Sequence, residues 1–225
     1  MNDHLHTESL RELLQKRLER FQPKNAGASA NEGSDELSLD NANNTAELKQ
    51  AAVALTILND GGKPSLIVTR RTSKLKDHGG QWALPGGRLD PDETAIFAAR
   101  RELHEEISLD LAADAMIGTL DEYVTRSGYV ITPVVFWSDA TPNDLIASPD
   151  EVQSIHMFSF NELQRTDSPN LETIPESDRQ VLSMNYLDDV IYSPTAAMLY
   201  QFREVCLFDN HTRVAHYDQP VFAWK

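Results

Sequence analysis

Two rhythms of apolar residues run along this chain, and the switches between them mark out its elements. Residues 7–21 place Leu10, Leu13, Leu14, Leu18 and Phe21 at helical spacing with charges between them, which predicts an amphipathic helix. Residues 22–47 carry Asn, Ala, Gly, Ser and acids with few bulky apolar side chains, the composition of a flexible linker. From about Leu48 the period tightens to two. Ala51–Leu58 and Ser65–Thr69 read as strands around an Asp60-Gly61-Gly62 turn, and Met116–Val124 and Tyr129–Ser138 as two more meeting at Ser127-Gly128. Val152–Phe158 adds a short strand, followed by a helical turn over Phe160–Gln164. A further helix starts at Ser193-Pro194, with Ala197, Leu199, Phe202, Val205 and Cys206 apolar, and Thr212–His216 reads as a last extended piece. The closing aromatic segment, Gln219–Lys225, is assigned to packing or to a dimer contact. Strands interleaved with helices predict an α/β sandwich. The chain divides into a helix (1–21), a linker (22–47) and a folded domain (48–225), and the first helix is expected to pack on that domain or on a second subunit of a homodimer.

Between the two strand pairs lies the stretch with chemical content, Gly87 to Leu109. Asp90 is placed to cap a helix, Pro91 to open it, and Glu93 to supply the acid of a capping box. Ile96, Ala99, Leu103 and Ile107 form an apolar stripe, widened by Ala95 and Ala98. A stripe facing a sheet would turn the acids of this helix toward the open side. Glu102, Glu105 and Glu106 stand at i, i+3 and i+4, so they share a face and repel unless a cation sits among them. Hard oxygen ligands without His or Cys favour Mg²⁺ or Mn²⁺ over zinc. Arg101, four residues before Glu105, can hold that carboxylate in position, whereas His104 is turned away and given no role. Glutamates on a helix often form only a solvated face, but here Pro85-Gly86-Gly87 and Glu93 precede them at fixed offsets.

That pattern, Gly-x5-Glu-x7-Arg-Glu-U-x-Glu-Glu-x-Gly-U with U a bulky aliphatic, resembles the signature of the Nudix hydrolases. It is matched at Gly87, Glu93, Arg101, Glu102, Leu103, Glu105, Glu106 and Leu109. Ser108 replaces the glycine that serves a left-handed turn, a change costing about 1 kcal/mol and touching no ligand. Upstream, Thr69, Arg71, Leu75, His78, Gly80, Gln81, Pro85, Gly86 and Gly87 resemble the extended motif of the coenzyme A pyrophosphatase branch, with Thr72 and Leu84 in place of its Ser and Phe. The two motifs cover residues 66–109. The resemblance implies a Nudix-type α/β/α sandwich with a mixed β-sheet, the N-terminal helix and linker preceding it.

Composition sets the boundaries. The formal net charge is −15, so a long basic surface for nucleic acid cannot be drawn. A single cysteine, Cys206, excludes internal disulfides and suits a reducing cytoplasm. No segment has the apolar length of a membrane span, and the first residues lack a signal peptide's basic-then-apolar order. Against the overall acidity, Arg70, Arg71, Lys74, Lys76 and His78 form a basic patch directly before the Pro-Gly-Gly turn. It reads either as a phosphate-binding loop or as one whose charges merely solvate it.

The expected chemistry is metal-dependent cleavage of a small-molecule diphosphate. Gly87, Glu102, Glu105 and Glu106 are the candidate metal residues, and Arg101 supports them. Glu106 and Glu151 (in Ser148-Pro-Asp-Glu151) are the candidates for general base, with a plain loop acid as the other reading of Glu151. Arg70, Arg71, His78, Gln81 and Gly86 are candidates for substrate contact, and Trp82 is assigned to packing beneath the turn. The resemblance implies coenzyme A or an acyl derivative as substrate, giving 3′,5′-ADP and 4′-phosphopantetheine. An ADP-ribose, nucleoside diphosphate sugar or dinucleotide pyrophosphatase is the alternative enzyme, and a nucleotide-sensing module without turnover the alternative of another class. Residues 1–47 are expected to be dispensable for catalysis.

Overall fold

The computed structural model describes residues 5–26, 48–73 and 79–224. His78, Lys74 and Lys76, and residues 27–47 of the expected linker, lie outside the described residues.

The long strand β1 (Lys49–Asp60) is apolar on both faces, as a central strand must be when both sides of its sheet are covered. It turns through Gly61 and Gly62, at φ 60° and 87°, into β2 (Lys63–Arg71). Positive φ at both turn residues matches the right-handed twist of a tight hairpin, and glycine adopts it at no steric cost. The short strands β3 (Trp82–Ala83) and β4 (Gly86–Arg88) follow, then the motif helix α2 (Ala95–Ile107). Beyond it come β5 (Met116–Thr119), β6 (Tyr123–Val124), β7 (Tyr129–Trp137) and β8 (Val152–Ser159). Together β1–β8 make one mixed sheet in which β7 runs parallel to β1 and the other pairs are antiparallel. The stretch expected as one strand over 116–124 is two, separated by a turn at Leu120–Glu122 where Asp121 is buried in a polar network.

After the short helix α3 (Phe160–Leu163), a three-stranded antiparallel sheet of β9 (Asn170–Ile174), β10 (Ser177–Tyr186) and β11 (Asp189–Tyr192) leads into α4 (Thr195–Phe202). This second sheet was not anticipated. Its first strand and the first half of β10 are mostly polar, so no alternation announces them. Helix α4 continues as a π-helical turn over Arg203–Leu207, the stretch that carries the apolar Val205 and Cys206. Residues 212–216 form no strand; the neighbouring Asp218 makes a single bridge to Val181 of β10.

Apolar cores lie on both faces of the large sheet. On one, Ala52, Ala54, Leu58 and Ile67 pack beneath Ala98, Ala99, Leu103 and Ile107 of α2. The opposite face, with Leu55, Ile57, Leu66 and Val68, receives α4 and the N-terminal helix α1 (Glu8–Phe21). Thr7 caps α1 by accepting from the Leu10 N–H, and Leu10, Leu14, Leu18 and Phe21 are buried. Gly118 lies so close under Leu18 that a Cβ there would come within 2.8 Å of the leucine Cβ. Arg17 donates to the Cys206 and Leu207 carbonyls, and the Arg213 guanidinium stands 4.0 Å from the Phe21 ring centroid while pairing with Asp121.

Helix α1 therefore belongs to the main core, so a deletion of residues 1–47 that is expected to spare catalysis would also remove part of that core. Leu14→Ala should lower unfolding free energy by roughly 2–5 kcal/mol, measured by urea denaturation. Removal of residues 1–21 should yield an insoluble or molten protein. A truncation that unfolds cooperatively at the full-length midpoint would show that this face closes without the helix.

Candidate active site

Strand alternation places the functional residues. Along β4, Gly87 faces α2, whereas Gly86 and Arg88 face the α4 side. A Cβ on Gly87 would lie 2.2 Å from Glu102 Oε1, and one on Gly86 would lie 2.3 Å from the Ala52 carbonyl oxygen. Glycine at 86 is thus required by the backbone of β1, whereas a side chain at 87 would displace the Glu102 carboxylate. The same alternation splits the arginine pair at the end of β2: Arg71 approaches Glu106 at 3.8 Å, while Arg70 pairs with Asp189 of β11 at 2.5 Å.

Helix α2 starts later than its sequence suggests. Thr94, not Asp90, is the cap, accepting from the Phe97 N–H. Asp92 sits at φ 66°, which no continuing right-handed helix allows, so residues 90–93 form a turn closed by the Asp90 N–H on the Glu93 carboxylate. That turn delivers Glu93 to Arg101. The Arg101 guanidinium donates to Glu93 (3.1 Å), Glu102 (2.8 Å), Glu105 (3.0 Å) and the Arg88 carbonyl (2.9 Å). It holds the Glu93 carboxyl below its usual range, chiefly through their hydrogen bond. The expected Arg101–Glu105 support is present, within a larger hub.

The three box glutamates differ in environment. Glu105 is 51% exposed, but Glu102 is 12% and Glu106 only 3% exposed, so the acids do not all face the open side. The reason is that β4 and the 148–151 turn cover the flank of α2: the Ser148 N–H donates to the Glu106 carbonyl, and the Thr72 N–H to the Glu151 carbonyl. Burial is the largest influence on the Glu106 carboxyl, and with Glu102 and Glu151 nearby it is pushed up to about 8, against the opposing pull of Arg71 and the Gly86 backbone. Burial likewise raises Glu102, partly offset by Arg101. Glu151, forty-five residues along the chain from Glu106, is thus within electrostatic range of both buried glutamates.

Among the described residues no group of three or more Asp, Glu, His or Cys side chains is gathered closely enough to hold a metal ion by itself. The donor set nevertheless suits Mg²⁺ or Mn²⁺: oxygen ligands only, Glu106 buried and Glu102 partly buried, both with raised pKa, and a glycine that sets no side chain against the Glu102 carboxylate. Mg²⁺ in particular keeps several waters and is held by one or two carboxylates together with substrate phosphates, so an open row of glutamates fits it better than a cage would.

Beside Gly86 and Gly87 opens a cavity of about 720 Å³. Val53, Ala83 and Ile131 of the sheet line it, and facing them are Val190, Tyr192, Met198 and Phe222 from the C-terminal part of the chain. Gln81, Arg70, Arg71 and Gly86 also border it, which brings the described substrate-contact candidates together. Arg70 is already neutralised: besides its ion pair with Asp189 it stands 4.8 Å from the Trp82 ring centroid, and the Trp82 Nε1–H donates to the same carboxylate. Trp82 is therefore a wall residue as well as a packing residue. The terminal segment packs, as expected, with Phe222 set edge-on against Tyr192 at 5.4 Å, and Gln219, Phe222 and Ala223 also line the cavity. Asp189 and Tyr192 escaped the sequence reading because they share no spacing with the motif, and the unforeseen second sheet carries them there. His104, as expected, stays clear and pairs with Asp110 at 2.9 Å.

A carboxylate-bearing helix under a glycine turn, on a mixed sheet between helical layers, defines a class, and comparison with known proteins names it. The NUDIX domain model matches residues 48–182, and the chain belongs to that family. It is similar to the uncharacterized Nudix hydrolase NudL of Photorhabdus laumondii subsp. laumondii, with 31% identity over 69% of this chain and 84% of that protein. To NudL of Escherichia coli (strain K12 / DH10B) it is 41% identical over 48% of this chain, and it spans about half (55%) of that relative's length. Among solved structures, the Nudix hydrolase RenU of M. smegmatis superposes with a TM-score of 0.44 at 22% identity, covering 71% of this chain and 86% of that one.

Two expectations concern the frame of the site. Ser108 occupies the left-handed position at φ 57° that closes α2, its N–H donating to the His104 carbonyl while the Leu109 N–H reaches Leu103. Ser108→Gly should therefore raise stability by about 1 kcal/mol in urea unfolding; an unchanged midpoint would mean the serine bears no strain. The second concerns Asp218, which binds Arg126 and Ser177 and so fixes the tail against the cavity. Burial opposes ionisation there, but these partners and the Gln219 N–H outweigh it and hold the carboxyl down to about 2. A depressed folded-state pKa contributes stability above the unfolded value near 3.8 that is lost as pH falls toward 2. Asp218→Asn should thus be destabilising at pH 7, with a difference from the natural protein that shrinks through that window.

Proposed function

We propose that this protein hydrolyses a diphosphate linkage with Mg²⁺ or Mn²⁺, and that coenzyme A or an acyl-coenzyme A is its substrate. The observation that carries the reading is the row of Glu102, Glu105 and Glu106 gathered by Arg101 against β4, whose Gly86 and Gly87 also border, across the strand, a cavity with an apolar further wall. The match of Thr69, Arg71, Gly80, Gln81 and Pro85-Gly86-Gly87 to the upstream coenzyme A motif supports the narrower substrate. So does the shape of the cavity, which offers room next to the glycine turn for an amphipathic group attached to the diphosphate.

When bound, the cation supplies neutralisation of the diphosphate charge and a lowered pKa for the attacking water. Glu102, Glu105 and Glu106 are the residues that would hold it, kept in place by Arg101. Gly86 and Gly87 leave the backbone open to a phosphate, and Arg71 counters charge that builds on the phosphoryl oxygens. Water attacks one phosphorus, the bridging P–O bond breaks, and the proton leaves to a carboxylate. Glu106 and Glu151 are the two groups positioned to hold that proton. The wall of Tyr192, Phe222 and Met198 excludes water from the rest of the substrate. Buried Cys206 and the chain's strong acidity agree with a cytoplasmic setting, and among the described residues no helix is long and apolar enough to cross a membrane.

Hydrolysis of coenzyme A, acetyl-coenzyme A, ADP-ribose, NADH and diadenosine polyphosphates, followed by chromatography, tests the proposal. The highest kcat/KM should fall on the coenzyme A species, and chelation should remove the activity. A preference for ADP-ribose or a dinucleotide would sink the narrower assignment, and silence across the panel would favour a sensing module. Glu105→Gln and Glu106→Gln should each lower turnover by at least about a hundredfold. Because ionising Glu106 opposes folding, its variant should melt no lower than the natural protein in chelator; near-natural turnover in either variant would remove that glutamate from the site.

A further inference from the structure

The cavity's three arginines are not equivalent. Arg70 is paired with Asp189, and Arg71 stands beside Glu106. Arg88, next to Gly87, makes no side-chain hydrogen bond or ion pair among the described residues; its guanidinium lies 5.2 Å from the ring centroid of Tyr129. A second cation shares that ring: Lys49 Nζ is 5.7 Å from the same centroid, and it too has no acidic partner among the described residues. Register explains the meeting. Lys49 is the parallel neighbour of Tyr129 across β1 and β7, while Arg88 lies opposite Ala51, two positions further along β1 on the same face.

Arg88 borders both the main cavity and an adjoining one of about 580 Å³ lined by Lys49, Gln50, Leu89, Asp90 and Glu93. The acids there do not neutralise the two cations, because both are turned to Arg101: Glu93 at 3.1 Å and Asp90 at 3.9 Å. Two like charges held at one ring repel. In a chain with 35 acidic against 20 basic residues, leaving such a pair without a counter-charge is an arrangement that an anion would complete.

We propose that Lys49 and Arg88, gathered on Tyr129, form an anion site that binds a phosphomonoester carried by the substrate in addition to its scissile diphosphate. The proposal rests on the diphosphate hydrolase reading and narrows it to substrates with a third phosphate. Tyr129 restricts both side chains before the ligand arrives, which reduces the ordering cost of binding. Arg70 does not serve this purpose, since Asp189 already satisfies it.

Binding in chelator separates this proposal from the catalytic one. Adenosine 3′,5′-bisphosphate and AMP are titrated by calorimetry against the full chain, against Lys49→Gln/Arg88→Gln, against Arg88→Gln alone, and against Arg70→Gln. The natural protein should bind the bisphosphate about tenfold more tightly than AMP, the effect of one added charge-assisted contact. That advantage, the ratio of the two affinities, should vanish in the double variant, shrink in Arg88→Gln and persist in Arg70→Gln, with AMP affinity changed less than about twofold in the Lys49 and Arg88 variants. Equal affinities in the natural protein, or an advantage that survives the double variant or is lost in Arg70→Gln, would overturn the site. With metal present, the same double variant should raise KM for coenzyme A but not for dephospho-coenzyme A. Discrimination in binding without any hydrolysis would defeat the enzymatic reading and leave the anion site standing.

Discussion

The approach of Gly87 to Glu102 is the contact on which the rest of the site depends. With no Cβ in the way, β4 lies directly against the Glu102 carboxylate, and α2 sits on the sheet with Glu106 buried and Glu102 partly buried. Any other residue at 87 would push the Glu102 carboxylate out of place. Because side chains alternate along β4, the same three residues also present Arg88 to the opposite face. One short strand thereby couples the carboxylate helix to the cavity across the sheet.

Burying acids in an acidic chain demands local compensation. Arg101 provides it for Glu93, Glu102 and Glu105, and Arg71 provides a weaker measure for Glu106 at 3.8 Å. The compensation is uneven, and the unevenness is informative. Glu93, well paired, is held below its usual range, whereas Glu106 is pushed far above it. That contrast, in which the most buried carboxylate of the row is the most weakly paired, is what the proposed cation site rests on.

How much of this could be read from residues alone depended on whether the signal was local. Glu102, Glu105, Glu106 and Arg101 lie within one and a half helical turns, so spacing alone groups them. Their exposure was misjudged, because the elements that cover the flank of α2 are β4 and the 148–151 turn, contributed by other parts of the chain. The helix start was misplaced by four residues since Asp92 adopts a left-handed conformation that an ordinary capping pattern does not disclose. The second sheet was missed for another reason. Tyr186 and Asp189 are joined through Leu187 at φ 51°, a turn lacking the Gly or Asn that usually betrays one. Helix α1 was seen, but whether its narrow face found this chain or another could only follow from Gly118 and Arg213 far along the sequence.

The division between legible and hidden residues follows the division between chemistry and selection. The box lies within residues 48–182, which match the family model, while Asp189, Tyr192, Met198, Gln219 and Phe222 come after it. A motif preserves what the cleaved bond requires, and a diphosphate requires the same charge neutralisation whatever is attached to it. Under the proposed function what is attached is met by the far wall, which is held by a distinct staple, Asp218 with Arg126 and Ser177. Its stiffness matters because an exposed aromatic such as Phe222 selects ligands only when its position is fixed before binding. On the proposed reading, the wall that would distinguish one substrate from another is thus anchored to β10 and to the β6–β7 turn rather than to α2, apart from Arg101 and its glutamates.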